Sequence, residues 1–416
     1  MNMNLTRLHR SENKAAESEA FANSLEQTFC LTQARIRTAH DNHLGYPYNL
    51  VGQAAVPAAF GSYLINNLGD PYYGSHFASE VCDLEREAVG WLMDLWQCEN
   101  KAAFWGSVGA SGTEGNFWAL YLGREALPQA VLLYSREAHY SIPKAARILR
   151  METDVVDCET GGAIDIENFE HVLYRWRGRP VIVALTCGTT VLGAHDDIGA
   201  VIECLDRAGI EPSRRFIHVD GALNAMVLPF IREVPHTLQP SFQHRIDSIS
   251  TSGHKMIGTP MPCGVLIARR PHVSRVASSI AYLRSNDTTL MGSRNGHAVL
   301  ALWAPFKGHG VAGYEADIRA CLARAEGMVS VLSAAGVPVR RNPYALTVVF
   351  PQPPEHIVRP YQLACNCGEA HAIVMPNVTD ALIGRFVADY LAWWQRDRRL
   401  PELGSERQPS PQIVNA

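Results

Sequence analysis

The chain contains no apolar run long enough to cross a bilayer, and residues 1–20 are polar rather than a basic start followed by an apolar stretch. An excess of one charge is also missing, because 41 acidic and 37 basic residues leave a net charge of -4. A nucleic acid or an anionic membrane surface would require a basic surface that such a chain lacks. We therefore expect a small-molecule partner, with no nucleic acid and no membrane.

Paired cysteines are scarce as well. The ten cysteines are scattered singly apart from Cys365-Asn-Cys367, and no second Cys or His pair at metal-ligand spacing lies nearby. We therefore predict no metal site. A chain of this size can fold without disulfides, so reduced thiols and a cytoplasmic location are the expectation.

The length of the chain favours more than one hydrophobic core. Its 416 residues, 47% of them hydrophobic, exceed what a single core usually supports. We divide the sequence into an N-terminal segment (1–60), a large domain (61–309), a small C-terminal α+β domain (310–400) and a flexible, polar tail (401–416).

Between about residues 100 and 270, short apolar runs alternate with segments of helical periodicity. This alternation is typical of a mostly parallel sheet with helices on both faces, so we predict a doubly wound α/β core. The predicted strands are Val131–Ser135, Val181–Thr186, Phe216–Asp220, Ile246–Thr251 and Gly264–Ala268 in the large domain, and Leu346–Phe350 and Ala372–Met375 in the small one. The predicted helices include Glu80–Gln97, Glu114–Glu125, a helix capped by Asp165, Asp196–Ala208 and a helix from Asp380.

Lys255 is the most informative residue, because it follows His254 just after a predicted strand. A lysine at the functional edge of a sheet can form an imine with a carbonyl cofactor if its surroundings favour the neutral amine. Ser252 and His254 beside it are suited to phosphate binding. Taken alone, a lysine at a strand end is more often a solvated surface charge.

Asp220 ends the predicted strand Phe216–Asp220, and strand alternation puts His218 on the same face. In a pyridoxal 5′-phosphate (PLP) enzyme, a carboxylate at this point pairs with the pyridinium nitrogen and keeps it protonated. The alternative for a lone aspartate is a helix N-cap. Because Lys255 follows the next predicted strand, the cofactor role is favoured over the helix N-cap for Asp220.

The stretch Gly109-Ala-Ser-Gly-Thr-Glu-Gly-Asn116 is a glycine-rich turn that opens onto a helix. Its backbone N–H groups, the helix dipole and the hydroxyls of Ser111 and Thr113 would form a phosphate cradle. No lysine follows the last glycine, and the glycine spacing differs from the dinucleotide pattern. Both nucleotide interpretations are therefore disfavoured.

Two further strand ends carry polar residues. His139 follows the first predicted strand of the core and could stack on a cofactor ring, although an isolated histidine is more often structural. Thr186-Cys-Gly-Thr-Thr190 and Asp196-Asp197 lie after another strand, where they could line the same crevice or serve as turn residues and caps.

Together these elements resemble the group II PLP-dependent decarboxylases of fold type I, most closely the branch of histidine and serine decarboxylases. The resemblance runs from about residue 40 to residue 380. The segments that carry it are Leu44-Gly-Tyr-Pro47, Asn66-Asn-Leu-Gly-Asp-Pro71, Gly112-Thr-Glu-Gly-Asn116, Leu122-Gly-Arg-Glu125, His139-Tyr-Ser141, Gly188-Thr-Thr190, Ser252-Gly-His-Lys255 and Gly292-Ser-Arg-Asn-Gly-His297. One departure is Gly109-Ala-Ser-Gly112, which stands where many members have Thr-Asn-Gly-Gly.

The resemblance implies a role for each site residue. Lys255 would bind the cofactor covalently, Asp220 would pair with its ring nitrogen, and His139 and Ala222 would contact its two faces. The phosphate would be held by Ser111, Gly112, Thr113, Ser252 and His254. The substrate would be held by Arg294 and Tyr46, and Tyr282 on a mobile loop would return a proton. The resemblance also implies a homodimer with its sites at the subunit interface, with residues 1–60 packed on the partner subunit.

The implied reaction is decarboxylation of a small L-amino acid to its amine, with L-histidine as the leading substrate. L-Serine and an aliphatic amino acid such as valine are the alternatives within that reaction. Another PLP reaction, a metal-dependent hydrolase built on His218, Asp220 and His254, and a non-catalytic PLP-fold regulator also stay open. The intact pair of Lys255 and Asp220 disfavours the regulator.

Overall fold

The computed structural model describes residues 2–52 and 56–397, and it describes side chains within 22–52 and 56–396. The strands are β1 (Asn66–Leu68), β2 (Phe104–Gly109), β3 (Val131–Ser135), β4 (Thr153–Val156), β5 (Val181–Thr186), β6 (Arg215–Asp220), β7 (Ser248–Ser252), β8 (Gly264–Arg269), β9 (Ser278–Ile280), β10 (Ser285–Asp287), β11 (Ser293–Asn295), β12 (Thr347–Pro351), β13 (Ala364–Asn366) and β14 (Glu369–Ile373). The predicted tail, 401–416, lies outside the described residues.

The helices enclose the large sheet and form the outer layer of the small one. They are α1 (Asn2–Asp41), α2 (Cys82–Leu95), α3 (Gly112–Ala126), α4 (Ser141–Leu149), α5 (Ile166–Arg175), α6 (Ile198–Arg207), α7 (Arg270–Val276), α8 (Gly296–Gly308), α9 (Gly310–Ala334), α10 (Glu355–Tyr361) and α11 (Asp380–Asp397). Within the described part of the chain, no helix combines the length and apolar character needed to cross a membrane.

The large sheet has the strand order β2-β8-β7-β6-β5-β3-β4 in the described residues. The five neighbouring strands β7, β6, β5, β3 and β4 run parallel to one another. Strand β8 is antiparallel to both of its neighbours, β2 and β7. The predicted α/β class with a mostly parallel sheet is confirmed. Strand β2 was not predicted, because its Phe-Trp-Gly-Ser-Val-Gly sequence lacks the β-branched run that marks the other strands.

Alternation along the strands supplies a core on each side of this sheet. In β3, Val131 and Leu133 belong to one buried cluster and Leu132 belongs to the other. The interior strand β5 is buried at every position, as expected for a strand covered by helices on both faces. The apolar β5 sequence Val-Ile-Val-Ala-Leu-Thr therefore agrees with an interior place in the sheet.

The small sheet has the order β12-β14-β13, and all of its pairings are antiparallel. Phe350 of β12 packs its ring against Phe386 and Tyr390 of α11, with centroids 5.4 and 5.3 Å away. The second predicted strand of this region, Ala372–Met375, in fact begins earlier, at Glu369, because it pairs in register with β12. The domain boundaries stay a prediction.

Candidate active site

The carboxyl ends of β5, β6 and β7 lie side by side at one edge of the large sheet. A cavity of about 230 Å³ opens at this edge, where open α/β sheets bind their ligands. It is lined by Tyr46, Ser111, Gly112, Thr113, Asn116, His139, Tyr140, Thr186, Gly188, Thr190, Asp220, Ala222, Ser252, His254, Lys255 and Pro262. Residues more than 200 positions apart in the chain therefore meet in one place.

Lys255 reaches this cavity from a kinked turn, Gly253–Ile257, that follows β7 directly, and its own backbone angles are not helical. Burial lowers the pKa of Lys255 below its usual value, and the Asp220 carboxylate nearby opposes that shift. The Lys255 Nζ atom lies 5.9 Å from the centre of the Tyr46 ring. A lysine with a lowered pKa is neutral more often than a solvated one, and the neutral amine is the form that attacks a carbonyl.

Asp220 ends β6 and is almost completely buried. Its Oδ2 accepts a hydrogen bond of 2.6 Å from Asn116 Nδ2, and its Oδ1 accepts one of 3.1 Å from the backbone N–H of Ala222. Asp220 and Lys255 line the same cavity, so one ligand can contact both groups. This is the spatial relationship that the cofactor hypothesis requires.

The rim of the cavity carries polar groups that fit a phosphate. Ser111 caps the N-terminus of α3, and its neighbour Gly112 comes so close to β7 that a Cβ there would lie 2.5 Å from Ser252 Oγ. The Nδ1 atom of His254 is buried without a hydrogen-bond partner among the described residues. A helix N-terminus, a hydroxyl and an unpaired imidazole nitrogen fit the phosphate of PLP.

His139 lines the cavity next to Asp220 and Lys255. Its Nδ1 atom lies 2.7 Å from Ser141 Oγ. Burial lowers the pKa of His139 below its usual value, and this shift is partly opposed by Asp220. The imidazole is therefore favoured in the neutral form that stacks on an aromatic ring without desolvating a charge.

Tyrosines form the open side of the cavity. Burial raises the pKa of Tyr46, and the neighbouring Tyr48 and Tyr140 raise it further. Tyr140 was not predicted as a site residue, although it lies within the His139-Tyr-Ser141 motif. Asn116 was also missed, because an asparagine inside a helix gives no signal of its contacts with strands elsewhere in the sequence.

Two predicted site residues are not brought to the cavity. Arg294 is buried and pairs with Glu85, while its other contacts are the carbonyl oxygens of Gly69 and Val108, both at 3.4 Å. This geometry gives no support to the expectation that Arg294 holds the substrate carboxylate, since its guanidinium pairs with an internal carboxylate and does not line the cavity. Tyr282 lies between β9 and β10 with 73% of its surface exposed, outside the cavity lining.

The metal-dependent hydrolase has no support in the geometry. His218 does not line the cavity, and its two ring nitrogens contact Ser248 Oγ and Asn116 Oδ1, both at 2.9 Å. Among the residues described, no group of three or more His, Cys, Asp or Glu side chains is placed to hold a metal ion. His218 instead supports the residues that line the cavity.

A lysine and a buried aspartate that share one cavity, beside a helix N-terminus whose groups fit a phosphate, are the arrangement of a PLP enzyme of fold type I. The sequence profile of the pyridoxal-dependent decarboxylase conserved domain matches residues 25–336. The chain belongs to this family of pyridoxal-dependent decarboxylases. It is therefore a PLP-dependent carboxy-lyase, and its cofactor is pyridoxal 5′-phosphate.

Individual relatives place the chain in the branch of histidine and serine decarboxylases. Serine decarboxylase 1 of Oryza sativa subsp. japonica is 41% identical over 364 residues, which are 86% of this chain and 74% of that protein. Histidine decarboxylase of Solanum lycopersicum is 38% identical over 369 residues, which are 86% of this chain and 88% of that protein. The crystal structure of L-methionine decarboxylase from Streptomyces sp. 590 superposes with a TM-score of 0.80 at 25% identity and covers 88% of this chain and 94% of that one.

Proposed function

We propose that this chain decarboxylates L-histidine to histamine, with Lys255 and Asp220 as its central catalytic residues. The observation that carries the proposal is the convergence of the Lys255 amine and the buried Asp220 carboxylate on one cavity. When bound, PLP supplies an electron-accepting ring that takes up the electrons of the bond to the departing carboxylate. The protein must bind that ring, keep its nitrogen protonated and orient the substrate.

Each residue of the cavity has a distinct task in this proposal. Lys255 would hold the cofactor through its amine. Asp220 would hold a proton at the cofactor nitrogen, since a carboxylate fixed by Asn116 and the Ala222 N–H is a ready acceptor. His139 and Ala222 would contact the ring. The phosphate would be held by Ser111, Gly112, Thr113, Ser252 and His254.

The substrate side of the cavity is assigned to Tyr46, and the return of a proton after carbon dioxide leaves is assigned to Tyr282. Tyr282 would reach a site only if the exposed β9–β10 hairpin extends beyond its own subunit or moves. A homodimer with sites at the interface provides such an arrangement. Leu25, Phe29 and Leu31 of α1 are exposed apolar side chains, which supports the packing of the N-terminal segment on a partner subunit.

Histidine is preferred as substrate because two tyrosines, Tyr46 and Tyr140, line the cavity. The ring of Tyr46 packs on Tyr48, which lies outside the lining, with centroids 4.6 Å apart. The two lining tyrosines offer planar surfaces on which an imidazole can stack. Serine is the second candidate, because a serine decarboxylase is 41% identical to this chain. A cytoplasmic location stays a prediction.

The test is a substrate panel measured by carbon dioxide release and by identification of the amine. Purified enzyme loaded with PLP is supplied with L-histidine, L-serine, L-valine, L-methionine and the aromatic amino acids, and the Lys255→Ala variant serves as the blank. Histamine formed with the highest kcat/KM supports the proposal. If ethanolamine is the dominant product, L-serine rather than L-histidine is the substrate. If none of the amino acids in the panel gives an amine, decarboxylation of these amino acids is refuted.

A further inference from the structure

The side-chain amide of Asn116 lies at the centre of a buried hydrogen-bond network behind the cavity. Its Nδ2 atom donates to Asp220 Oδ2 at 2.6 Å and to Ser141 Oγ at 2.9 Å. Its Oδ1 atom lies 2.9 Å from His218 Nε2 and accepts a hydrogen bond of 2.7 Å from Ser250 Oγ. An asparagine amide has two N–H bonds and accepts two hydrogen bonds at its oxygen, so all of its capacity is used.

The orientation of this amide follows from Asp220. A carboxylate only accepts hydrogen bonds, so the Nδ2 end of Asn116 must face it. The Oδ1 end then faces His218, whose Nε2 atom must carry a proton to donate. Burial lowers the pKa of His218 to about 4, so the ring is neutral and its Nδ1 accepts from Ser248 Oγ at 2.9 Å.

The second branch of the network fixes the proton of His139. Ser141 Oγ accepts from Asn116, and its own hydrogen is free to be donated to His139 Nδ1, which lies 2.7 Å away. The backbone N–H of Ser141 also donates to this nitrogen, at 3.3 Å. His139 Nδ1 is therefore an acceptor, and the neutral ring carries its proton on Nε2.

We propose that Asn116 is a positioning residue that connects the two polar groups of the site. Through Nδ2 it holds Asp220 in place and, through Ser141, it makes His139 an Nε2–H donor. A donor at Nε2 is suited to an anionic group of the substrate, whereas the other tautomer would present a lone pair there. The catalytic consequence rests on the roles proposed above for Asp220 and His139.

The direct test is the tautomer of His139, measured by ¹⁵N NMR of histidine-labelled enzyme without cofactor. The signal is assigned by its loss in a His139→Asn variant. Wild type should show the proton on Nε2. Ser141→Ala removes the hydroxyl donor, and we expect the population with a proton on Nδ1 to rise at least about tenfold; Asn116→Asp should have the same effect, because a carboxylate at 116 attracts the Ser141 hydrogen away from His139.

In the enzyme loaded with PLP, the two variants distinguish the contact of Asn116 with Asp220 from its contact with His139 through Ser141. Asn116→Asp places a second carboxylate beside Asp220, and a like charge disfavours ionisation of the pair. The visible spectrum of its bound cofactor should therefore become pH-dependent near neutrality, and kcat should fall about 10- to 100-fold with little change in KM. Ser141→Ala should leave that spectrum as in wild type.

Asn67→Asp is the matched control. Asn67 is fully buried, donates from Nδ2 to the carboxylate of Glu85 at 2.8 Å and accepts from the Val81 N–H at 2.9 Å, outside the cavity. This variant should lose stability without changing the His139 tautomer or the cofactor spectrum. The proposal is overturned if Ser141→Ala and Asn116→Asp leave the tautomer unchanged, or if Asn67→Asp alters it equally. The tautomer of His139 is measured without substrate. The result of this test therefore does not depend on whether L-histidine is the substrate.

Discussion

Arg294 of β11 pairs with Glu85 of α2 in the interior of the protein, where the two side chains are 2% and 0% exposed. Glu85 also accepts hydrogen bonds from Asn67 Nδ2 at 2.8 Å and from the Val108 N–H at 2.7 Å. One carboxylate therefore joins β1, β2, β11 and α2. The pair therefore cross-links the frame beside the cavity.

Replacing Arg294 by glutamine should destabilise the fold. The variant leaves the charge of Glu85 buried without its partner, which we expect to cost about 3–5 kcal/mol. Urea unfolding measures the loss. Arg359→Gln is the control, because Arg359 forms an exposed pair with Glu355 whose loss should cost less than about 1 kcal/mol. If the Arg294→Gln variant keeps its stability and only its KM is raised, Arg294 contacts the substrate.

The pairing of Arg294 with Glu85 could not be predicted from the sequence, whereas the positions of Lys255 and Asp220 could. Lys255 and Asp220 could be predicted because Asp220 ends one strand and Lys255 comes shortly after the next, and the ends of neighbouring parallel strands meet at one edge of a sheet. The partner of Arg294 could not, since Glu85 lies 209 residues away and helix α2 gives no sign of which strand it contacts. Asn116 escaped prediction for the same reason. Its four partners come from α4, β6 and β7.

Local sequence patterns predicted the bounds of the strands better than the directions in which the strands run. The predicted bounds of β3 and β5 agree with the structure, because their apolar runs end sharply at polar residues. The direction of β8 is a different matter. Its residues pair antiparallel with both β7 and β2, and this pairing depends on the loop geometry after Gly258 rather than on the composition of the strand.

Lys255→Ala should abolish catalysis and the covalent attachment of the cofactor. The amine is the group of the cavity that can attack a carbonyl, so we expect turnover to fall by about 10⁴-fold or more. The measurements are amine formation and the visible absorbance of protein-bound PLP after dialysis. Lys307→Ala is the control, because Lys307 is an exposed partner of Glu87 on α2. A 255 variant that kept both signals would refute the assignment.

Asp220→Ala should bind PLP and yet turn over slowly. Without the carboxylate, nothing in the cavity holds a proton at the cofactor nitrogen, and kcat should fall about 10²- to 10³-fold. Asp165→Ala tests the alternative role of a helix cap. The Asp165 carboxylate caps α5 by accepting from the Asn168 N–H at 2.9 Å, so its loss should cost about 1 kcal/mol of stability and no activity. If Asp220→Ala behaves like Asp165→Ala, Asp220 is structural.

Tyr282→Phe should reduce activity without affecting the fold. The Tyr282 side chain is 73% exposed, so removal of its hydroxyl should leave the free energy of unfolding unchanged. Loss of a proton donor should lower kcat about 100-fold. Tyr174→Phe, on the exposed face of α5, controls for a general effect of losing a hydroxyl. Full activity in the 282 variant would exclude Tyr282 as the donor, and Tyr46→Phe would then be the next variant to measure.

His371 of β14 should make the stability of the protein depend on pH. Burial lowers the pKa of His371 to about 4, from 6.5 in the unfolded chain. Because the folded value is the lower one, the unfolded state binds the proton first on acidification. The contribution of His371 is complete above pH 6.5, declines as the pH falls towards 4 and amounts to at most about 3 kcal/mol.

The measurement is urea unfolding of wild type and His371→Gln at pH 7.5 and at several values down to pH 4.5. Wild type should lose more stability than the variant over this range, because glutamine does not bind the proton. The raised pKa of the buried Asp196, about 6, acts in the opposite direction but is common to both proteins. His356→Gln, at an exposed position of α10, should follow wild type. Equal losses in wild type and His371→Gln would show that the β14 histidine is not protonated on unfolding in this window.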